Sequence, residues 1–193
     1  MAITQLNNRS INRSDTASAD QVWTATSATA SDFQATVGGL TEADSWRLSG
    51  TVSMSASANT TISTNWERVD TDGFGLLGTG LTQSSGIFTF PSTGFWYINF
   101  SFNKNSDAAI DNYSAIELHT TANNSSYNRA CHVAGHFPAT SDNIQLANSF
   151  MIDVTDVSNI KFRFNYYAGQ TNNITGDTGS HDSGFTALRL ADT

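Results

Sequence analysis

From Trp46 to the end of the chain, apolar and polar residues alternate with a period of two, as side chains do on opposite faces of a β-strand. The clearest segment is GFWYINFSF at 94–102, in which Trp96, Ile98, Phe100 and Phe102 share one face. The same alternation predicts strands at 46–55, 60–69, 143–154, 159–167 and 184–190, and weaker strands near 74–82, 86–91, 113–121 and 127–135. Turn-forming Gly, Asn, Asp, Ser and Pro separate these segments. About ten short strands at this spacing predict an all-β, two-sheet antiparallel jelly-roll sandwich over residues 46–193, with no helix and no internal repeat.

Residues 1–45 have a different texture, because they are rich in Ser, Thr, Ala and Asn and contain few large apolar side chains. Such a segment cannot form a core by itself. We predict an extended N-terminal anchor segment that becomes ordered against partner subunits, with Ile11, Val22, Trp23 and Phe33 as its apolar contacts. A disordered leader is the alternative interpretation.

The strand at 94–102 is nearly apolar on both faces, since Phe95 and Tyr97 lie on the side opposite Trp96. A monomer that exposed this second face would carry a large apolar patch. A closed symmetric trimer buries one such patch per subunit. We therefore expect Phe95 and Tyr97 in a homotrimer interface, together with Tyr166 and Tyr167. The alternative is that a loop or the leader covers these residues within the monomer.

Charge and composition restrict the classes of partner. Only 13% of the 193 residues are charged, and the net charge is −8. No run of Lys or Arg occurs, which argues against a nucleic-acid partner. No segment approaches the roughly 18 apolar residues of a membrane span, so no membrane insertion is expected. The first residues contain no apolar signal segment, and the single Cys131 leaves no internal disulfide, so we expect a protein made and assembled in a cytoplasm.

Several side chains could belong to a metal site or a catalytic site, but each fits a structural role better. In a strand Cys131 points away from His132, and His132 lies about 13 Å from His136, too far to share one zinc ion. A Cys–His nucleophile pair has no recognisable elbow or oxyanion motif around it. The carboxylates of Glu67, Asp70, Asp72 and Glu117 fit surface and turn positions better than a glycosidase pair. The DTDG stretch at 70–73 is half of a calcium loop, so a weak surface calcium site stays open. We predict no catalytic residues, no metal centre and no cofactor.

A central block of the sequence resembles a known superfamily. The segment GIFTFPSTGFWYINFSF at 86–102 fits the form G-x-F-x-x-P-x-x-G-x-Y-x-[FI], with Gly86, Phe88, Pro91, Gly94 and Ile98 at the matching places. The C-terminal SGFTALRL at 183–190 is similar to the last strand of the same group. Residues 46–193 thus resemble the jelly roll of tumour necrosis factor and of the globular head of the first complement component. The collagen stalk of the complement-type relatives is absent, so animal signalling is not implied.

Bacteriophage fibre and decoration proteins use this same jelly roll, and a leader followed by a trimeric head looks like theirs. The expected function is a structural protein of a bacteriophage virion, either head decoration or short fibre, assembled in the host cytoplasm and docked on the capsid or tail by residues 1–45. The alternative is a tail fibre tip that binds a receptor or host surface glycan. The long polar loop at 168–182 would then carry the ligand, through Asn172, Asn173, Asp177, His181 and Asp182.

Overall fold

A computed structural model describes residues 21–25, 31–35, 39–71, 73–106 and 110–193, with the backbone alone for the first two ranges. The chain divides into two compact units, Met1–Gly39 and Leu40–Thr193. The first unit contains a hairpin of two antiparallel strands, β1 (Gln21–Ala25) and β2 (Ser31–Ala35), whose register places Trp23 opposite Phe33.

The second unit contains thirteen strands and, within the described residues, no helix. They are β3 (Ala43–Leu48), β4 (Gly50–Met54), β5 (Asn59–Thr61), β6 (Trp66–Arg68), β7 (Thr82–Ser84), β8 (Ile87–Thr89), β9 (Gly94–Ser106), β10 (Asp111–Thr121), β11 (Asn128–Phe137), β12 (Asp142–Val154), β13 (Lys161–Ala168), β14 (Asn172–Asp177) and β15 (Gly184–Ala191).

These strands form two antiparallel sheets packed face to face. Sheet I has the order β6-β3-β15-β9-β12. Strand β15 pairs with the first part of β9, whereas β14 pairs with the last part of β9 and also with β4. Sheet II has the order β11-β10-β13-β8-β7, with β5 also paired to β13. The predicted all-β jelly-roll sandwich is confirmed.

The core lies between the sheets and is largely aromatic. On β9 the side chains of Trp96, Ile98, Phe100 and Phe102 are all buried, and the intervening residues point to the other side. Rings from both sheets meet in edge and stacked contacts; for example, the centroids of Phe88 and Phe185 are 4.7 Å apart. Aromatic pairs in such arrangements add to the stabilisation that area burial provides.

Two glycines of the 86–102 block show why that block has its sequence. Gly86 and Ser85 both have positive φ and form the two-residue turn of the β7–β8 hairpin, whose strand twist favours such turns. A Cβ on Gly86 would lie 2.2 Å from the Ile62 carbonyl oxygen. Gly94 has φ +137, and a Cβ there would lie 2.5 Å from the Ala191 carbonyl oxygen. Both positions therefore require glycine for backbone shape and for close packing.

Candidate functional site

The outer face of sheet I carries an apolar cluster at one end. Tyr97 on β9 is paired with Met151 on β12 and with Leu188 on β15, so three side chains from three strands lie side by side. Phe95 lies two residues earlier on the same face of β9. Met151 is 51% exposed, and the other three are half-buried. We call Phe95, Tyr97, Met151 and Leu188 the apolar face.

The rest of this surface is polar. Towards the other end of β9, Ser101 and Asn105 point outward, beside Gln145 and Asn143 of β12. Gln145 Nε2 donates to Ser101 Oγ (2.7 Å), and Asn105 Nδ2 donates to Asn143 Oδ1 (3.0 Å). The apolar face is thus a bounded patch. Strand β12, which contributes Met151, pairs only with β9 within the described part of the chain and forms an edge of sheet I.

The structure does not bring the four predicted interface aromatics to one surface. Phe95 and Tyr97 lie together on the outer face of sheet I. Tyr166 is 4% exposed and belongs to the core of the single subunit, where its hydroxyl accepts a hydrogen bond from the Ser55 amide (3.4 Å). Tyr167 lies on the outer face of sheet II, because neighbours along a strand point to opposite sides.

A cleft of about 700 Å³ opens on the outer side of sheet II. Tyr113 and Tyr167 line it with their rings 5.6 Å apart in an edge contact, and Tyr113 is 43% exposed. Asn112, Gln170 and Arg129 add polar groups to its wall. Clefts of this size that combine aromatic surface with a few directed polar groups are typical of ligand sites.

Glu117 organises the polar part of this cleft. Its carboxylate accepts hydrogen bonds from Asn59 Nδ2 (2.7 Å) and Arg129 Nη1 (2.9 Å), and its Oε2 lies 2.7 Å from His119 Nε2. Because an ionised carboxylate only accepts hydrogen bonds, the proton of His119 belongs on Nε2. Burial raises the pKa of Glu117, but these three donors outweigh it, so the pKa is lowered overall. Glu117 is therefore an ionised carboxylate whose oxygens are already occupied by hydrogen bonds from side chains of the same subunit.

A second polar cluster lies beneath the cleft, between the sheets. Lys104 of β9 is fully buried, and its Nζ donates to Ser114 Oγ and to the Tyr167 carbonyl oxygen (3.4 Å). Burial lowers the pKa of Lys104 to about 7, with the Asp111 carboxylate acting in the opposite direction. Asp111, also fully buried, accepts hydrogen bonds from the amides of Tyr113 and Gly169 and from Asn172 Nδ2 (2.8 Å).

The sequence analysis missed this cluster. The one available signal is the inward alternation of β9, because Lys104 follows Phe100 and Phe102 at the same spacing and must point into the sandwich.

The predicted ligand loop is divided by structure. Residues 172–177 form strand β14, which pairs with β4 and β9, so the prediction of one long loop at 168–182 is wrong for this part. Asn172 is buried, with Met54 of β4 as its partner in the sheet register. Asn173 is half-buried on the same strand. Asp177 is the last residue of β14, and its carboxylate accepts a hydrogen bond from the Gly179 amide. Asp182 accepts from Ser180 Oγ (2.6 Å).

His181 lines a separate depression on sheet I, near Ser45 and the buried Arg47. Arg47 donates to Glu67 (2.6 Å) and to Asp70 (3.0 Å), so two of the carboxylates considered for catalysis hold a structural cation. The hydrogen bond from Arg47 is the main reason that the pKa of Glu67 is lowered.

The remaining predicted residues lie in other places. Ile11 and Asp72 fall outside the described residues, whereas Val22, Trp23 and Phe33 lie on the β1–β2 hairpin. Cys131 pairs with the inward Leu118, and burial raises the pKa of its thiol.

Within the described ranges no group of three His, Cys, Asp or Glu side chains is arranged to hold a metal ion. No helix long and apolar enough to cross a membrane occurs there either.

Comparison with known proteins gives similarity of fold. No family model matches the sequence, and no curated protein matches it. Eiger TNF from S. frugiperda superposes with a TM-score of 0.60 at 14% identity, over 80% of this chain and 96% of that chain. Murine APRIL gives a TM-score of 0.55 at 9% identity, over 77% of this chain and 98% of that one. The PRD1 vertex protein P5 is 22% identical over 79% of this chain and 99% of that one, with a TM-score of 0.49. The resemblance to the tumour necrosis factor jelly roll is confirmed at the level of fold.

Proposed function

We propose that this chain is a structural protein of a bacteriophage virion that assembles with two further copies of itself through the apolar face of sheet I. The observation that carries the proposal is the cross-strand set formed by Tyr97, Met151 and Leu188. Its occupant is a second copy of the chain, because a closed three-fold ring covers the same patch on every subunit.

Two features of the same surface support self-association. The apolar face adjoins the open edge of β12, a thirteen-residue strand. An exposed strand edge beside an apolar patch is a liability for a monomer unless it is covered. The polar Asn, Ser and Gln side chains at the other end of the sheet would limit the contact to one end, as the rim of an interface does.

The proposed location on a virion rests on the amino-acid composition of the chain. The chain is poor in charge and in cysteine, and it is rich in Ser, Thr and Asn. The part of the N-terminal segment that precedes β3, residues 1–39, would dock on a capsid or tail protein while the jelly roll projects outward. This role involves binding and no turnover. Labelling of purified phage particles with an antibody to this chain tests the placement; particles without label would contradict it.

The self-association is tested by Met151→Glu, which places a charge at the most exposed residue of the apolar face without entering the core. We expect the natural chain to sediment as a trimer and the variant as a monomer with an unchanged circular dichroism spectrum. The matched control is Gln145→Glu, on the polar part of the same strand, which should remain trimeric. A natural chain that is monomeric at micromolar concentration would contradict the proposal.

The cleft on sheet II favours a second candidate function, the binding of a host saccharide. Sugar rings pack their C–H faces on aromatic side chains, and their hydroxyls bond to amide and guanidinium groups such as those of Gln170 and Arg129. The acids of the cleft, Asp111 and Glu117, are already saturated with donors. The cleft therefore fits a hydroxyl-rich ligand better than a cation.

This second function is tested by adsorption of the labelled protein to host cells and to an array of bacterial surface oligosaccharides. We expect Tyr113→Ala to reduce binding about tenfold, equivalent to about 1.4 kcal/mol, because the change removes the most exposed aromatic ring of the cleft. Gln145→Ala, an exposed change on the outer face of sheet I, is the control. Equal binding by the natural chain and Tyr113→Ala would exclude the cleft as the ligand site.

A further inference from the structure

Two cations on the outer face of sheet II have no acid to neutralise them within the described part of the chain. Lys161 and Arg163 are outward residues of β13, because Phe162 and Phe164, the neighbours of Arg163, are fully buried in the core. No described group forms an ion pair or a hydrogen bond with either side chain. Every other described Lys or Arg is in an ion pair or buried in the core: Arg47, Arg68, Arg129, Arg189 and Lys104.

This pair of cations is exceptional in an acidic chain, whose net charge is −8. Residues two apart on one strand lie about 6–7 Å from each other, so the two positive charges repel. An anionic group placed against both side chains would offset that repulsion and add charge-assisted contacts. The surface therefore fits an anion that the described residues do not supply.

Arg163 is held in position for such a contact. Its Cζ lies 4.3 Å from the centre of the Tyr127 ring, a cation–π arrangement that orients the guanidinium. A guanidinium presents its N–H groups as a planar fork that matches the two oxygens of a carboxylate. The Arg163 side chain is half-buried, so a ligand can reach it from the solvent side.

Polar atoms without partners are concentrated around Arg163. Five buried side-chain nitrogen or oxygen atoms of the described residues lack a hydrogen-bond partner, and three of them are Arg163 Nε, His119 Nδ1 and the Tyr127 hydroxyl oxygen. Because the proton of His119 is on Nε2, facing Glu117, its Nδ1 is an acceptor. Buried polar groups are normally satisfied. A bound group that carries both hydroxyls and a carboxylate has the donors and acceptors that these atoms lack.

The two unpaired cations adjoin the cleft of sheet II. His119 of β10 is the register partner of Arg163 on β13 and of Arg129 on β11. Glu117, which lines the cleft with Arg129, is opposite Asn165, so Arg163 is the diagonal neighbour of Glu117. Diagonal neighbours lie about 7–8 Å apart, within the span of one ligand that also occupies the cleft.

We propose that the saccharide bound by the cleft is acidic, and that a carboxylate on one of its sugar units binds Arg163 and Lys161 beside the cleft. This inference rests on the saccharide-binding function proposed above and names the class of sugar. Arg129 is not the anchor, because its charge is already matched by Glu117. The chain as a whole repels an acidic polysaccharide, so these local contacts determine both the binding and the orientation of the ligand.

The test is an array of uronate-containing bacterial surface oligosaccharides, each printed beside the same oligosaccharide with its carboxylates reduced to alcohols. We expect the natural chain to bind at least one acidic form about tenfold more tightly than its reduced form, the scale of one charge-assisted contact. Arg163→Gln should abolish that preference while the reduced form still binds, and Lys161→Gln should weaken it. Tyr113→Ala should weaken the binding of both forms, because it removes aromatic surface that both forms use.

The matched control is Gln145→Glu on the outer face of sheet I, which changes the net charge by the same one unit as Arg163→Gln and should keep the preference. Equal binding of both forms by the natural chain would overturn the acidic ligand and leave saccharide binding in place. Binding of neither form would overturn both.

A preference that survives Arg163→Gln would also overturn the proposal. If that variant in addition failed to attach to particles that lack the protein, the cations would be assigned to an acidic surface of another virion protein.

Discussion

At the scale of single residues, this protein buries charged groups in pairs or networks. Asp44 is fully buried and accepts from the Leu81 amide (2.8 Å) and from Arg68 Nε (3.0 Å). Arg47 is matched by Glu67 and Asp70. Such groups are stabilising only while every partner is present, since a lone buried charge is costly. Glu117 belongs to the same class, and its titration should be visible in the stability of the protein.

Because the pKa of Glu117 is lowered in the folded state, the unfolded chain binds its proton first as the pH falls. The stability that Glu117 contributes is present above its unfolded pKa and is lost as the pH falls through the folded pKa. Glu117→Gln should therefore lower the free energy of unfolding at pH 7 by about 1–3 kcal/mol, the usual cost of losing charge-assisted hydrogen bonds. The measurement is urea denaturation at about pH 7 and at about pH 3, below the ordinary glutamate pKa.

As the pH falls below the ordinary glutamate pKa, the stability that the natural Glu117 contributes is progressively lost, so the difference between the two proteins should shrink. Asp182→Asn is the control, because its carboxylate accepts from Ser180 at the surface and its replacement should change stability little at either pH. A difference between Glu117→Gln and the natural chain that is as large at low pH as at neutral pH would contradict the assignment.

At the scale of strands, alternation predicted most of the sandwich. The segments at 94–102, 143–154 and 159–167 correspond to β9, β12 and β13, because alternate side chains of each strand pack towards the core over most of its length. The predicted strand at 46–55 is two strands instead. β3 pairs with β15 and β4 pairs with β14, so the chain changes partner at Ser49.

The wrong predictions have a common physical origin, because the alternation of residues within one segment does not determine which strands that segment pairs with. The stretch NNITGD at 172–177 is polar and reads as loop, yet it is a strand because β4 and β9 supply its hydrogen bonds. Tyr166 and Tyr167 are adjacent in sequence, but they face opposite sides of sheet II. The buried hydrogen bond from Asn172 to Asp111 joins residues that are 61 positions apart, so spacing along the chain could not show it.

At the scale of the molecule, the two sheets of the jelly roll present different surfaces. The apolar face lies on the outer side of sheet I, and the tyrosine-lined cleft lies on the outer side of sheet II. An assembly that uses the first surface leaves the second accessible, so self-association and ligand binding are compatible in one particle. The unit Leu40–Thr193 contains both surfaces and the whole described core.

Deletion of residues 1–39 separates assembly from docking, because both proposed binding surfaces belong to the second compact unit. We expect the truncated chain to give the β-sheet circular dichroism spectrum and the trimeric sedimentation of the natural chain, since the interface on β9, β12 and β15 is intact. It should fail to attach to particles that lack the protein, whereas the natural chain attaches. The measurement is sedimentation velocity together with a pull-down on such particles. A truncated chain that is folded but monomeric would make the leader a trimerisation element and would remove the apolar face as a sufficient cause of assembly.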